Sequence, residues 1–207
     1  ISIERLKSSL LKSAWRYVYR GLRIKELATA NENQRWQQDM EKPPEFTLEN
    51  IRASFGDYLL NPRMSILKGL AEAFCELDPF YKSHEKVKIG VNGLPKRMIF
   101  NYLSEYGWSR DRLTNVINAL GLCQGKAMVT SAEIYDLLKN ENALLETRGV
   151  RLVRFKKGTG HLFFNKQELI DINKGLAEYY GDVLCDTSEE KPDKPQESRA
   201  VSKDLQY

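Results

Sequence analysis

The chain opens on a helical pattern. Leu6, Leu10, Leu11, Ala14, Val18, Leu22 and Ile24 recur at spacings of three and four, with Trp15 and Tyr19 on the same side. This predicts a long amphipathic helix over residues 3–28, with Gly21 as its weak point. A short helix is expected around 34–40, stopped by Pro43-Pro44. Thr47, ahead of Leu48-Glu49-Asn50-Ile51, is placed to cap a helix running to about Leu60. Asn61-Pro62 starts the next, with Pro62 in its first turn and Met64, Leu67, Leu70, Ala71 and Phe74 as its buried stripe.

The period then changes. Lys86-Val87-Lys88-Ile89-Gly90 alternates as a short strand does, and Asn92-Gly93 beyond it is a turn signal. Residues 96–106 fit either a second strand or a helix. Ser109 is placed to cap a helix carrying Leu113, Val116, Ile117 and Leu120, and Thr130-Ser131 to cap one carrying Ile134, Leu137 and Leu138. Two alternating runs, 149–155 and 161–164, flank the turn Lys156-Lys157-Gly158-Thr159-Gly160 and predict a hairpin. Leu169, Ile172, Leu176 and Tyr179 mark a closing helix over 168–180. The fold class expected is α+β, predominantly α-helical: a helical bundle with a basic C-terminal β-hairpin and a closing helix. Residues 1–80 form its helical part and 81–181 its mixed part, continuous with each other. From 182 to 207 the polar, Pro-bearing stretch around Glu189-Glu190-Lys191-Pro192 reads as a flexible linker. The start lacks an initiator methionine and apolar residues return at Val201, Leu205 and Tyr207, so a fragment with a further domain downstream is expected.

Composition narrows the function classes. At 207 residues, 42% hydrophobic and 29% charged, the chain can bury a real core. No apolar run approaches the roughly 18–20 residues of a membrane helix, and Cys75, Cys123 and Cys185 stand far apart, as reduced thiols of a cytoplasmic protein do. Catalytic signatures are missing: no P-loop, dinucleotide fingerprint or nucleophile elbow occurs, and His84 and His161 have no partner at metal-ligand spacing. No metal and no catalytic residue is expected in this chain. The glycine-rich turn lies between two strands, so it lacks the helix N-terminus that makes such loops hold phosphate.

A net charge of +4 points to a polyanion only if the positive residues cluster. They do so along the sequence. Arg148, Arg151, Arg154, Lys156, Lys157 and Lys166 follow with no acid between them, and Lys82, Lys86, Lys88, Lys96 and Arg97 are opposed only by Glu85. Alternation puts Arg148, Arg154 and Lys156 on one strand face and Val153 and Phe155 on the other, with Lys157 and His161 near the tip. A basic hairpin of this kind can lie along phosphates and gain affinity through counterion release; a solvated strand face is the plainer account. The candidate nucleic-acid-binding residues are Lys82, Lys86, Lys88, Lys96, Arg97, Arg151, Arg154, Lys156, Lys157 and His161. Reading 96–106, 109–121 and 131–140 as three helices before the hairpin would give a winged-helix order. Its groove-reading helix would then carry Glu133 and Asp136, an electrostatic handicap against DNA. Trp15, Tyr17, Tyr19, Trp36, Tyr58, Trp108, Tyr179 and Tyr180 sit mostly at helical spacing among aliphatics and read as core.

Four stretches carry a family resemblance: Lys12-Ser13-Ala14-Trp15-Arg16-Tyr17; Pro44-Glu45-Phe46-Thr47-Leu48-Glu49-Asn50-Ile51; Phe80-Tyr81-Lys82 with Lys88-Ile89-Gly90; and 154–164 with Leu169-Ile170-Asp171-Ile172-Asn173. In that order, from Lys12 to Tyr180, they resemble a bacterial domain family of unknown function carried by prophages, plasmids and other mobile elements. It occurs free-standing near toxin–antitoxin and anti-restriction genes, or joined to an adenine-type DNA methyltransferase. The chain departs from it in Val91-Asn92-Gly93-Leu94-Pro95, inserted before Lys96-Arg97, and in Gly158 and Thr159, which replace asparagines. The resemblance implies a non-catalytic DNA-binding or target-recognition region of a mobile-element methyltransferase. DNA and the downstream domain would be its partners, and S-adenosylmethionine would be bound by that domain. The alternative is a protein-interaction module in a toxin–antitoxin or anti-restriction setting, docking through the helix of Trp15 and Tyr19.

Overall fold

The computed structural model describes residues 2–77 and 97–186, with side chains as far as Gly181. The strand expected at 86–90, its turn and the linker beyond 186 lie outside the described residues. The elements run α1 (Ile3–Gly21), α2 (Ile24–Leu27), α3 (Ala30–Asp39), α4 (Leu48–Leu60), α5 (Pro62–Cys75), β1 (Arg97–Phe100), α6 (Trp108–Cys123), α7 (Ser131–Lys139), β2 (Asn142–Leu145), β3 (Val150–Arg154), β4 (Gly160–Phe163) and α8 (Lys166–Asp186). The class is α+β and mostly helical, as the periodicity indicates.

The first helix breaks at Gly21, where Arg23 takes a left-handed φ of 55° and restarts the chain as α2. Only the C-terminal half of α1 packs. Leu11, Trp15, Val18, Tyr19 and Leu22 join a small core with Ile24, Ala28, Met40 and Phe55, whereas Leu6 and Leu10, expected on the buried side, are exposed. Trp15 donates its indole N–H to the Pro44 carbonyl at 2.9 Å, and Tyr19 stacks on Trp36 at 3.8 Å. Thr29 and Glu32 form a capping box that starts α3 four residues before the expected helix, in a segment with no apolar periodicity to betray it. Thr47 caps α4 as expected, accepting the Asn50 N–H. Tyr58 touches both this small core and the main one.

The main core surrounds α6, which α5 and α8 flank. Ser109 is not its cap. The helix starts at Trp108 behind Gly107, whose φ of 89° suits only glycine, and buried Ser109 donates instead to the Asn101 carbonyl. Asn115 joins α6 to the α2–α3 turn, accepting from the Ala30 N–H at 2.9 Å and donating to the Ala28 carbonyl at 3.2 Å. Arg63 of α5 grips Glu178 of α8 through two hydrogen bonds. The closing helix runs on to Asp186, so residues 182–186, expected in the linker, are helical.

Of the 96–106 segment, residues 97–106 form a strand and a turn, not a helix. Met98 and Phe100 alternate into the core while β1 pairs with β4. Among the described residues the antiparallel sheet has four strands in the order β1-β4-β3-β2. Strand β2, too short and mixed to stand out in the sequence, adds an edge beside β3. The inner face of the sheet carries Met98, Phe100, Leu145, Val150, Leu152 and Leu162 into one core with Ile134, Leu138 and Ile172. The winged-helix order expected from helices at 96–106, 109–121 and 131–140 does not hold as drawn, since 97–100 is a strand. Among the described elements the order α5–β1–α6–α7–β3–β4, with β1 against β4, matches that connectivity only with α5 in the first place and β2 as an addition.

Candidate nucleic-acid interface

Val150 and Leu152 face inward, so every even-numbered position of β3 turns toward the core. Arg154 therefore sits half-buried, and its guanidinium donates to the Leu138 carbonyl at the end of α7. Arg148, just ahead of β3, is 5% exposed and donates to the Ala127 and Thr147 carbonyls. These two arginines are structural. They do not form the exposed basic face that alternation alone assigned to them, because the apolar residues between them claim that face for the core.

The outer face carries the odd positions of β1, β3 and β4 and the even ones of β2, with Ile99 itself buried. The register sets Leu144, Arg151, Phe163 and Arg97 in one cross-strand row, and Asn142, Val153, His161 and Ile99 in the next. Arg151 is exposed and lays its guanidinium over the Phe163 ring, 4.9 Å from the centroid. Arg97, half-buried, is in register with Phe163 on β1, the strand on the other side of β4 from Arg151. His161 is half-buried and packs on Phe155 at 4.6 Å, with Phe163 at 6.2 Å on its far side. Lys156 and Lys157 are exposed in the turn, which closes through Phe155 N–H to Thr159 at 2.8 Å and needs glycine at Gly158, φ 79°. The ion pairs among the described residues lie elsewhere, and none takes up Arg97, Arg151, Lys156 or Lys157. Of the second basic stretch, Arg97 joins the hairpin surface; Lys82, Lys86, Lys88 and Lys96 lie outside the described residues.

The structure adds residues that the sequence reading passed over. The loop between β1 and α6 packs on the hairpin turn through Leu103 N–H to the Gly158 carbonyl, 2.7 Å. It holds Tyr102 at 88% exposure and a left-handed φ of 54°, with Tyr106 at 76% exposure further along. Phe155 in the turn is 47% exposed. The signal available was Asn101-Tyr102-Leu103-Ser104-Glu105-Tyr106-Gly107, a polar loop with two tyrosines and no helical stripe to bury them. Trp15 and Tyr19 are core, as expected; Tyr17 and Trp108, weighed with them, are exposed.

The outward side of α7 carries Tyr135, Asp136 and Lys139. Glu133 is engaged: the Thr130 N–H, then the Thr130 hydroxyl, hold its carboxyl below the ordinary range. A family model described as "Domain of unknown function (DUF4942)" matches residues 7–182. The chain belongs to the DUF4942 family. The match takes in the 101–107 loop, the hairpin and nearly all of α8, so the basic and aromatic surface of this DUF4942 chain lies within the family's own domain. No curated protein and no solved structure matches the chain.

Proposed function

We propose that this DUF4942 chain is a non-catalytic, DNA-engaging accessory region that holds nucleic acid for a methyltransferase domain encoded with it on a mobile element. The observation that carries the reading is the placement of Arg97 and Arg151 in register on either side of Phe163, with Lys156 and Lys157 at the tip and, among the described residues, no carboxylate paired to any of them. Cations left free in this way are available to phosphates, and releasing condensed counterions supplies the affinity. The winged-helix connectivity supports the same reading, with the β3–β4 turn as wing. The methyltransferase partner and the mobile-element setting come from the sequence resemblance, and S-adenosylmethionine would be bound by that partner domain. The test is a mobility-shift titration of the chain with DNA at low salt. The reading expects binding that Arg151→Glu with Lys156→Glu and Lys157→Glu removes; absence of any shift from the wild-type chain would sink it.

A second reading has its own observation. Ile3, Leu6, Leu10 and Tyr17 leave an apolar stripe exposed on α1 at the three-and-four spacing of a helix-pairing seam. A protein-interaction module would use this face rather than the buried Trp15 side. Capture of a stable protein partner that survives the hairpin charge reversals but is lost in Leu6→Glu with Leu10→Glu would favour it.

A further inference from the structure

We infer that the hairpin turn and the β1–α6 loop together form a stacking site for unpaired bases, so that the nucleic acid this chain engages is single-stranded. The inference rests on the nucleic-acid reading above and narrows it to a substrate class.

Exposed rings and cations without an ion-pair partner among the described residues meet at one end of the sheet. The Leu103 N–H to Gly158 carbonyl bond sets Tyr102 directly beside the hairpin turn, and a Cβ added to Gly158 would lie 3.9 Å from the Tyr102 Cα. Tyr102 and Phe155, one from each loop, therefore flank a turn whose remaining side chains include Lys156 and Lys157. From Phe155 the rings continue along the outer face through His161 to Phe163, where Arg151 stacks and Arg97 stands opposite. Rings alternating with cations suit a strand whose bases are splayed out. Each base has a π-face for an aromatic side chain or a guanidinium plane, and the lysines meet the phosphates between. A duplex offers no such faces, because its bases already stack on one another.

Two further observations point the same way. Tyr102 is a bulky residue in the left-handed region, next to the Leu103 N–H that bonds the Gly158 carbonyl, and it is exposed; strained, exposed residues of this kind gather at binding sites. And α7, which a winged helix would send into the major groove, turns Asp136 outward with Glu133 at its start, so the element built for reading a duplex is electrostatically the wrong one here.

The test is fluorescence anisotropy at low salt with end-labelled oligo-dT, oligo-rU, an abasic DNA strand of the same length and a DNA duplex, using the whole chain. The site predicts at least a tenfold preference for one or both base-bearing single strands over the abasic strand and the duplex; the tighter of dT and rU names the source. Tyr102→Gly, which suits the positive φ and so spares the fold, should erase most of that preference while leaving abasic-strand affinity within twofold. Tyr102→Phe should restore it. Equal affinity for the abasic strand and oligo-dT, or no effect of Tyr102→Gly, overturns the stacking site while leaving the polyanion reading intact. No binding to any of the four overturns both.

Discussion

The guanidinium of Arg154 donates to the Leu138 carbonyl, tying the hairpin strand β3 to the last turn of α7. That carbonyl belongs to the helix end, where no intrahelical N–H is available to it. A charged donor there both satisfies the acceptor and complements the helix dipole. Arg154→Ala should therefore cost about 1–2 kcal/mol of stability, measured by urea unfolding. Its effect on nucleic-acid binding at fixed folded fraction should be small. Lys156→Glu should do the reverse, weakening binding without moving the unfolding midpoint.

Arg148 and Gly121 make a coupled pair. A Cβ on Gly121 would sit 2.8 Å from the Arg148 Nε, so the glycine in α6 is the space the buried guanidinium occupies. Arg148→Ala strands the Ala127 carbonyl and should destabilise by roughly 2–3 kcal/mol. Gly121→Ala alone should also destabilise. In the Arg148→Ala background the same glycine substitution should turn neutral or stabilising, since alanine is the better helix former by up to about 1 kcal/mol. A double-mutant cycle by thermal unfolding reads this sign change.

Glu32 gives the fold a pH signature. Burial pushes its carboxyl up, but the Lys68 ammonium at 2.5 Å, followed by the Thr29 N–H, outweighs that and holds it below its ordinary value of 4.5. A carboxyl depressed in the folded state contributes stability above its unfolded value, and that contribution is lost as pH falls through the folded one. Unfolding midpoints should drop as pH is lowered below 4.5. In Glu32→Gln the drop should be smaller, against a lower midpoint at neutral pH.

Most helices were legible from residues alone, because Thr47, Asn61-Pro62 and Thr130 mark their starts and the stripes of α5 and α7 are continuous. The hairpin was equally clear from its two alternating runs. What alternation could not supply was the identity of the inner face. Arginines at 148 and 154 share a parity with Val150 and Leu152, and only the core's demand for those aliphatics shows that the arginines go with them. The outer row of Arg97, Phe163 and Arg151 was also hidden, since it depends on β1 pairing with β4 across the 59 residues between them. The exposure of Tyr102 has no periodic signal in its loop, which packs on the distant hairpin turn through the Leu103 N–H.

The central claim is that unneutralised cations on the hairpin surface hold phosphates. Its most direct test is the slope of log affinity against log salt for the wild-type chain and for Lys156→Glu with Lys157→Glu, titrated on one labelled single strand. The account predicts a steep wild-type slope, with about 0.7 per phosphate contact, a slope reduced by roughly one contact for each lysine reversed, and unchanged thermal unfolding. Affinity indifferent to salt, or a double variant that binds with the wild-type slope, would contradict it.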